Sequence, residues 1–173
     1  MRKVFPLILC MLLLLSGCNK RSKQEEESMK NYETFINAVI NNKGIETKSI
    51  PFDYRLVQQK LDDGSYEYEV QIDNPRVAMY DIQAIAVNQA NDSNTNVYPC
   101  IGILGKDISE SFNLIPYQSN PNLDYWKGIG LNGISKDKQF TLNVMVSWKD
   151  STRANKYSVF FNCSYAEKSE NEG

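Results

Sequence analysis

Residues 140–165 read FTLNVMVSWKDSTRANKYSVFFNCSY, which is two runs of alternating apolar and polar residues around a polar centre. The apolar positions are Phe140, Leu142, Val144, Val146 and Trp148 in the first run, then Tyr157, Val159, Phe161, Cys163 and Tyr165 in the second. Because successive side chains of a strand point to opposite faces of a sheet, this period of two predicts two strands, each with one buried face. The polar centre predicts that the strands form an antiparallel hairpin.

The same period appears upstream. Apolar residues alternate from Tyr66 to Ile72, after a turn signal at residues 62–65 (DDGS) and an earlier run around Phe52–Leu56. Residues 79–87 are apolar at both odd and even positions, which predicts a central strand covered on both faces. Residues 97–104 and 108–115 are predicted to form two further short strands.

About seven strands with frequent turn signals and one short helix predict a mainly β fold, an antiparallel β-sandwich of immunoglobulin-like type. The segment Val70–Ile82, with Asn74-Pro75 between its two runs, loosely resembles the small immunoglobulin-like domains of exported bacterial proteins. The alternative is an α+β fold in which the helix packs on one curved antiparallel sheet, as in cystatin-like or nuclear-transport-factor-like domains.

The helix is predicted over residues 29–42. Its apolar stripe comprises Met29, Tyr32, Ile36, Val39 and Ile40, with Ser28 as N-cap and Gly44 as a left-handed stop. A helix this short needs a partner surface. That surface is either the core of its own domain, which is the commoner case, or another protein.

The N-terminal residues have the pattern of a targeting signal. Arg2 and Lys3 precede an apolar run from residue 4 to residue 15, and residues 15–18 read LSGC. This arrangement resembles the lipobox signal peptide of bacterial lipoproteins. The resemblance implies cleavage before Cys18, diacylglyceryl attachment to its sulfur, and a membrane as partner through that lipid.

The expected organisation follows from this leader. Residues 1–17 are a signal peptide, residues 18–27 a flexible polar tether, residues 28–166 a single β-rich domain and residues 167–173 a disordered tail. The expected location is outside the cytoplasm, on the cell membrane or the outer membrane.

Composition excludes several functions. The chain has no histidine, so Ser-His-Asp and Cys-His nucleophiles and His-ligated metals are ruled out. A net charge of −2 gives no support to nucleic-acid binding. Asp92, Asn94 and Asn96 have the spacing of a calcium loop, but Val97 and Ile103 stand where glycine and glutamate are needed. No metal or cofactor is therefore predicted.

Two cysteines remain after Cys10 leaves with the leader and Cys18 takes the lipid. Cys100 and Cys163 form an even pair in an exported domain, which predicts a disulfide. The alternative is that both are unpaired and pack as small apolar groups.

The predicted functional surface is the glycine- and proline-rich connection of residues 116–133, which carries Tyr117, Tyr125 and Trp126. These rings either face a ligand, stacking on a sugar or anchoring a protein, or they plug one end of the core.

The expected function is a lipid-anchored binding or accessory module for an envelope protein, peptide or glycan, and not an enzyme. The alternative is a structural subunit of an envelope assembly, using edge strands or the helix stripe. A remote alternative is a hydrolase with a carboxylate pair, either Asp107 with Glu110 or Asp62 with Asp63. No catalytic residue is assigned.

Overall fold

The computed structural model describes residues 23–88, 97–104 and 111–165. Its elements are one long α-helix, one short 3-10 helix (Pro121–Leu123) and seven strands: α1 (Lys23–Asn41), β1 (Asp53–Lys60), β2 (Tyr66–Asp73), β3 (Tyr80–Val87), β4 (Cys100–Ile101), β5 (Gly128–Ser135), β6 (Thr141–Lys149) and β7 (Lys156–Ser164).

The strands form two sheets, with orders β1-β2-β5 and β4-β3-β6-β7. Every neighbouring pair is antiparallel. β1, β2 and β5 lie side by side in one sheet, and β3 and β6 are the central strands of the other. The predicted antiparallel β-sandwich with one N-terminal helix is confirmed, and the single curved sheet is wrong because two sheets share one core.

That core consists of the inward side chains of both sheets. The predicted hairpin is β6 and β7, paired in register from Thr141–Ser164 to Lys149–Lys156. Phe161 of β7 is buried against Phe52 and Tyr54, with ring centroids 5.9 and 4.0 Å away. Aromatic side chains of this size supply much of the apolar area that holds two sheets together.

Helix α1 forms a third layer, on the outer face of the four-stranded sheet. Tyr32, Phe35 and Val39 are buried in a cluster that includes Ile85 and Val87 of β3. The prediction that the helix packs on its own domain is therefore confirmed. The stripe is rotated from the predicted one, since Phe35 is buried while Met29 and Ile40 are exposed.

The helix also begins earlier than predicted. It starts at Lys23, so residues 23–27 of the expected tether are helical. Lysine, glutamine and glutamate are good helix formers, and Glu25 and Glu26 in the first turn favour the positive end of the helix dipole. Ser28 is consequently a buried residue inside the helix and not its N-cap. Gly44 does end the helix region as predicted, with a φ of 71°.

Strand β5 lies inside the segment predicted as a loop over residues 116–133. Its sequence, GIGLNGIS, hides the strand signal because three glycines interrupt the alternation. A Cβ at Gly130 would overlap the Glu69 carboxylate, and one at Gly133 would overlap the Tyr68 ring. Glycine in this strand therefore reflects close approach of the neighbouring strand's side chains, not a turn.

The disulfide prediction is wrong, because Cys100 and Cys163 are both free. They lie on the two outermost strands of the β4-β3-β6-β7 sheet, and three strand spacings separate them by about 14 Å. Cys163 packs in the core between the sheets, whereas Cys100 packs with the helix-side cluster. A disulfide needs Cα atoms within about 7 Å, so these positions cannot be bridged.

Several predictions fall outside the described residues. These are the signal peptide of residues 1–17, the lipid site Cys18, the tether over residues 18–22, the calcium-like positions Asp92, Asn94 and Asn96, the carboxylates Asp107 and Glu110, and the tail of residues 167–173. Of the strand expected over residues 97–104, only Cys100–Ile101 is a strand.

Candidate functional site

Three loops meet at one end of the sandwich. The pairs Asp73–Gly128, Tyr80–Lys149 and Lys149–Lys156 mark the strand ends at this level. The loops that follow or precede them are residues 74–79, 113–127 and 150–155, which we call the tip.

Asn113 holds the largest tip loop in place. Its side chain is buried; Oδ1 accepts hydrogen bonds from the Asp81 backbone N–H (2.9 Å) and the Ser111 hydroxyl (3.1 Å), and Nδ2 donates to the Asp124 carbonyl (3.2 Å). The backbone adds reciprocal support, because the Trp126 N–H donates to the Asn113 carbonyl at 2.9 Å. The loop is thus fixed from beneath. Sequence reasoning missed Asn113, since one asparagine in a polar stretch gives no signal.

Tyr117 lies in an exposed turn of this loop. The Gln118 N–H donates to the Ile115 carbonyl at 3.1 Å, closing a turn in which Tyr117 follows Pro116 and has a φ of 60°. That position normally takes glycine or asparagine, because the left-handed conformation costs other residues about 1 kcal/mol. The side chain is fully exposed, with a relative accessibility of 105%. Among the residues that the structure describes, none packs on this ring to offset the cost.

The other two predicted aromatics are partly buried. Tyr125 meets Tyr80 edge-on at 6.4 Å, and Trp126 lies 6.4 Å from Phe112 while keeping 38% of its surface exposed. The three rings therefore differ in exposure: Tyr117 faces solvent, Tyr125 is partly buried against Tyr80, and Trp126 is partly exposed beside Phe112.

A charged cluster flanks these rings. Asp81 accepts hydrogen bonds from the Ser111 hydroxyl (2.9 Å) and from Lys149 Nζ (3.1 Å), and the Arg153 guanidinium lies 3.9 Å away. Burial raises the pKa of Asp81, but these hydrogen bonds and positive charges outweigh it and leave the pKa below its ordinary value. The Arg153 guanidinium also lies over the Tyr80 ring at 5.4 Å. Asp81 is therefore ionised. It holds Ser111, Lys149 and Arg153 in place and is not suited to act as a general acid.

Backbone strain is concentrated at the tip. Within the described ranges, six non-glycine residues have positive φ, and five of them lie at this end: Asn74, Asp81, Tyr117, Asp124 and Arg153. Such conformations cost stability and cluster at functional sites, where the surrounding structure holds them in place. The distribution marks the tip as the best candidate site of the molecule.

A groove lies beside the helix layer, away from the loops of the tip. It has a volume of about 480 Å³ and lies between α1 and strands β3 and β4, with Lys30, Asn31, Thr34 and Gln83 in its walls. The buried Ser28 hydroxyl also lines it and has no hydrogen-bond partner among the described parts of the chain. This groove offers polar groups and no aromatic ring, in contrast to the tip.

The carboxylate pair Asp62 and Asp63 lies at the opposite end, in the turn between β1 and β2. The Asp63 carboxylate accepts hydrogen bonds from the Ser65 hydroxyl and backbone N–H, at 2.5 and 2.9 Å, and these bonds lower its pKa. A general acid needs a raised pKa, so Asp63 has a turn-forming role. Across the described ranges no cluster of three or more acidic or cysteine side chains is placed to hold a metal ion.

None of the helices in the described segments is both long enough and apolar enough to cross a bilayer. Comparison of the sequence with protein-family models and curated proteins, and of the structure with solved structures, finds no match. The fold and the tip together define the class of the molecule: a helix-covered β-sandwich with an aromatic, conformationally strained loop end.

Proposed function

We propose that this protein is a lipid-anchored binding module outside the cytoplasm, and that its tip binds a protein, peptide or glycan of the cell envelope. The observation that carries the proposal is Tyr117, a fully exposed tyrosine in a left-handed conformation within a turn of the tip. A large apolar ring that costs stability and packs on none of the described residues is best explained by a contact made outside the domain.

The neighbourhood of Tyr117 supports binding. Leu123 and Trp126 in the same loop are also exposed, at 57% and 38%. Tyrosine and tryptophan combine a large rigid face with a polar handle, which is why they dominate binding hot spots and stack on sugar rings. The loop beneath is fixed by Asn113, so little conformational entropy is lost when a ligand binds.

The anchor rests on the leader, whose residues 15–18 (LSGC) match the lipobox pattern. The proposed anchor predicts that cells fed a labelled fatty acid incorporate the label into the protein, because Cys18 would carry a diacylglyceryl group. The Cys18→Ala variant should lose the label, while Cys10→Ala, a change within the leader, should keep it. Label retained in Cys18→Ala would refute the anchor.

The tip is tested separately, with glycan and peptide arrays probed by purified protein. Ligands should be retained by the unmodified protein and lost from Tyr117→Ala, because the ring supplies exposed contact area and nothing to the core. Tyr66→Ala, which removes a tyrosine at the opposite end of β2, should bind normally. Equal binding by Tyr117→Ala and the unmodified protein would contradict the proposal.

A further inference from the structure

The outer strand edges of the two sheets differ in how far other residues cover them. The outer edge of β7 is covered by residues 44–47: the Thr47 N–H donates to the Phe160 carbonyl at 2.8 Å, and the Phe160 and Asn162 N–H groups donate to the side chains of Thr47 and Glu46. The outer edge of β3 is covered by β4 and by the bridge between Met79 and Leu114. These contacts satisfy the main-chain groups that an open edge leaves unpaired.

The three-stranded sheet has two outer strands of different character. Strand β1 carries Asp53, Arg55 and Lys60, and charges on an edge strand discourage further pairing. Strand β5 has eight residues with neither a charge nor a proline. Across residues 23–88, 97–104 and 111–165, the backbone of β5 pairs only with β2. Its other side presents alternate N–H and C=O groups over about 27 Å.

The outer face beside this edge is acidic. Gly128 and Gly130 of β5 have no side chains, and the Glu69 carboxylate of β2 lies over Gly130. Glu67, also on the outer face of β2, pairs with the exposed Ile134 of β5. A strand added at β5 would therefore place an outward side chain beside the Glu69 carboxylate, with no intervening side chain at Gly130. Glu67 lies on the same face of the sheet, behind the exposed side chain of Ile134.

We infer that the free edge of β5 accepts an extended segment of a partner protein by strand addition, and that this segment carries lysine or arginine at alternate positions facing Glu67 and Glu69. Main-chain hydrogen bonds supply the affinity in this mode, and the side chains supply the specificity. A second copy of this chain fits poorly, because its own β5 carries no lysine or arginine to place near the two carboxylates. The inference is independent of the tip.

The test uses purified full-length protein and two eight-residue peptides, one alternating valine with lysine and the other valine with glutamate. The lysine peptide should bind, at least about tenfold more tightly than the glutamate peptide, since two carboxylates attract one and repel the other. Its binding should slow hydrogen exchange in residues 128–135. Equal affinities, or protection only elsewhere, would overturn the inference.

Matched variants locate the contact. Ile134→Lys places a charge on the β5 edge and should weaken the lysine peptide at least about tenfold, while Val57→Lys, the same change on exposed β1, should not. Glu69→Gln should weaken it about threefold. Tyr117→Ala should leave its affinity unchanged. A loss of binding in Tyr117→Ala would instead place the peptide at the tip, which overturns strand addition and supports the proposed tip function.

Discussion

At the scale of single residues, the tip is a compromise between stability and exposure. Asn113 and Asp81 are well satisfied by hydrogen bonds, and they hold a loop whose most prominent side chain, Tyr117, gains nothing from folding. Natural proteins keep such unfavourable positions where function requires them. The strain at Tyr117 can be measured as a change in the free energy of unfolding when this residue is replaced.

Replacing Tyr117 by glycine should leave the free energy of unfolding unchanged or raise it by up to about 1 kcal/mol. Glycine adopts positive φ without strain, although it loses more backbone entropy on folding, and the lost ring makes no core contact. Urea denaturation measures the change. As a comparison, Tyr125→Ala removes a half-buried ring and should cost about 2 kcal/mol. A loss above about 1 kcal/mol in Tyr117→Gly would show that the ring is structural.

The free thiols give a second residue-scale prediction. Burial raises the pKa of Cys100 and raises that of Cys163 to about 11. Because the thiolate is the reactive form, both should react with a thiol reagent at pH 8 at least about tenfold more slowly than free cysteine. After denaturation without reductant, the mature protein should show both thiols, and the Cys100→Ser and Cys163→Ser variants one each. Absence of any reactive thiol in the denatured protein would establish a disulfide.

The sequence could indicate which residue types form the site but not how they are arranged. The aromatic content of the loop singled out Tyr117, Tyr125 and Trp126, yet only packing decides that Tyr125 meets Tyr80 while Tyr117 is exposed. Likewise, the even number of cysteines left in the domain predicted a disulfide between Cys100 and Cys163. Their positions on the two outermost strands of one sheet forbid it. Both outcomes depend on contacts between residues far apart in sequence.

At the scale of elements, alternation of apolar and polar residues correctly predicted several strands. Strand β5 was missed because its glycines interrupt that alternation. Strands β2, β6 and β7 follow the period of two because each has one buried and one exposed face. Strand β5 breaks the period because Gly130 and Gly133 make room for Glu69 and Tyr68. Its position follows from pairing with β2, which no local pattern reports.

Helix α1 should contribute to stability through one face only. Phe35→Ala removes a ring that is 4% exposed in the helix-side cluster and should cost about 3 kcal/mol. Ile40→Ala, at a position 46% exposed on the same helix, should change stability by less than about 0.5 kcal/mol. Thermal or urea denaturation compares the two. Equal losses, or a larger loss in Ile40→Ala, would contradict the observed orientation of the helix.

At the scale of the whole molecule, the sandwich was predictable because five alternating or doubly apolar runs have few ways to bury their apolar faces. The early start of α1 changes the expected geometry of the anchored protein. With Lys23 already helical, five residues lie between the proposed lipid and the helix, and five residues in any conformation span at most about 18 Å. On this proposal the domain remains close to the membrane surface, where an envelope ligand would meet the tip.

The claim that the tip is the binding surface is tested most directly by photocrosslinking in the native host. A photoreactive residue at position 117 of the otherwise unmodified protein should give a discrete crosslinked product with an envelope protein or glycan. The same residue at position 63, exposed in the turn at the opposite end, should give none. A product from position 63 alone, or identical products from both positions, would contradict the account.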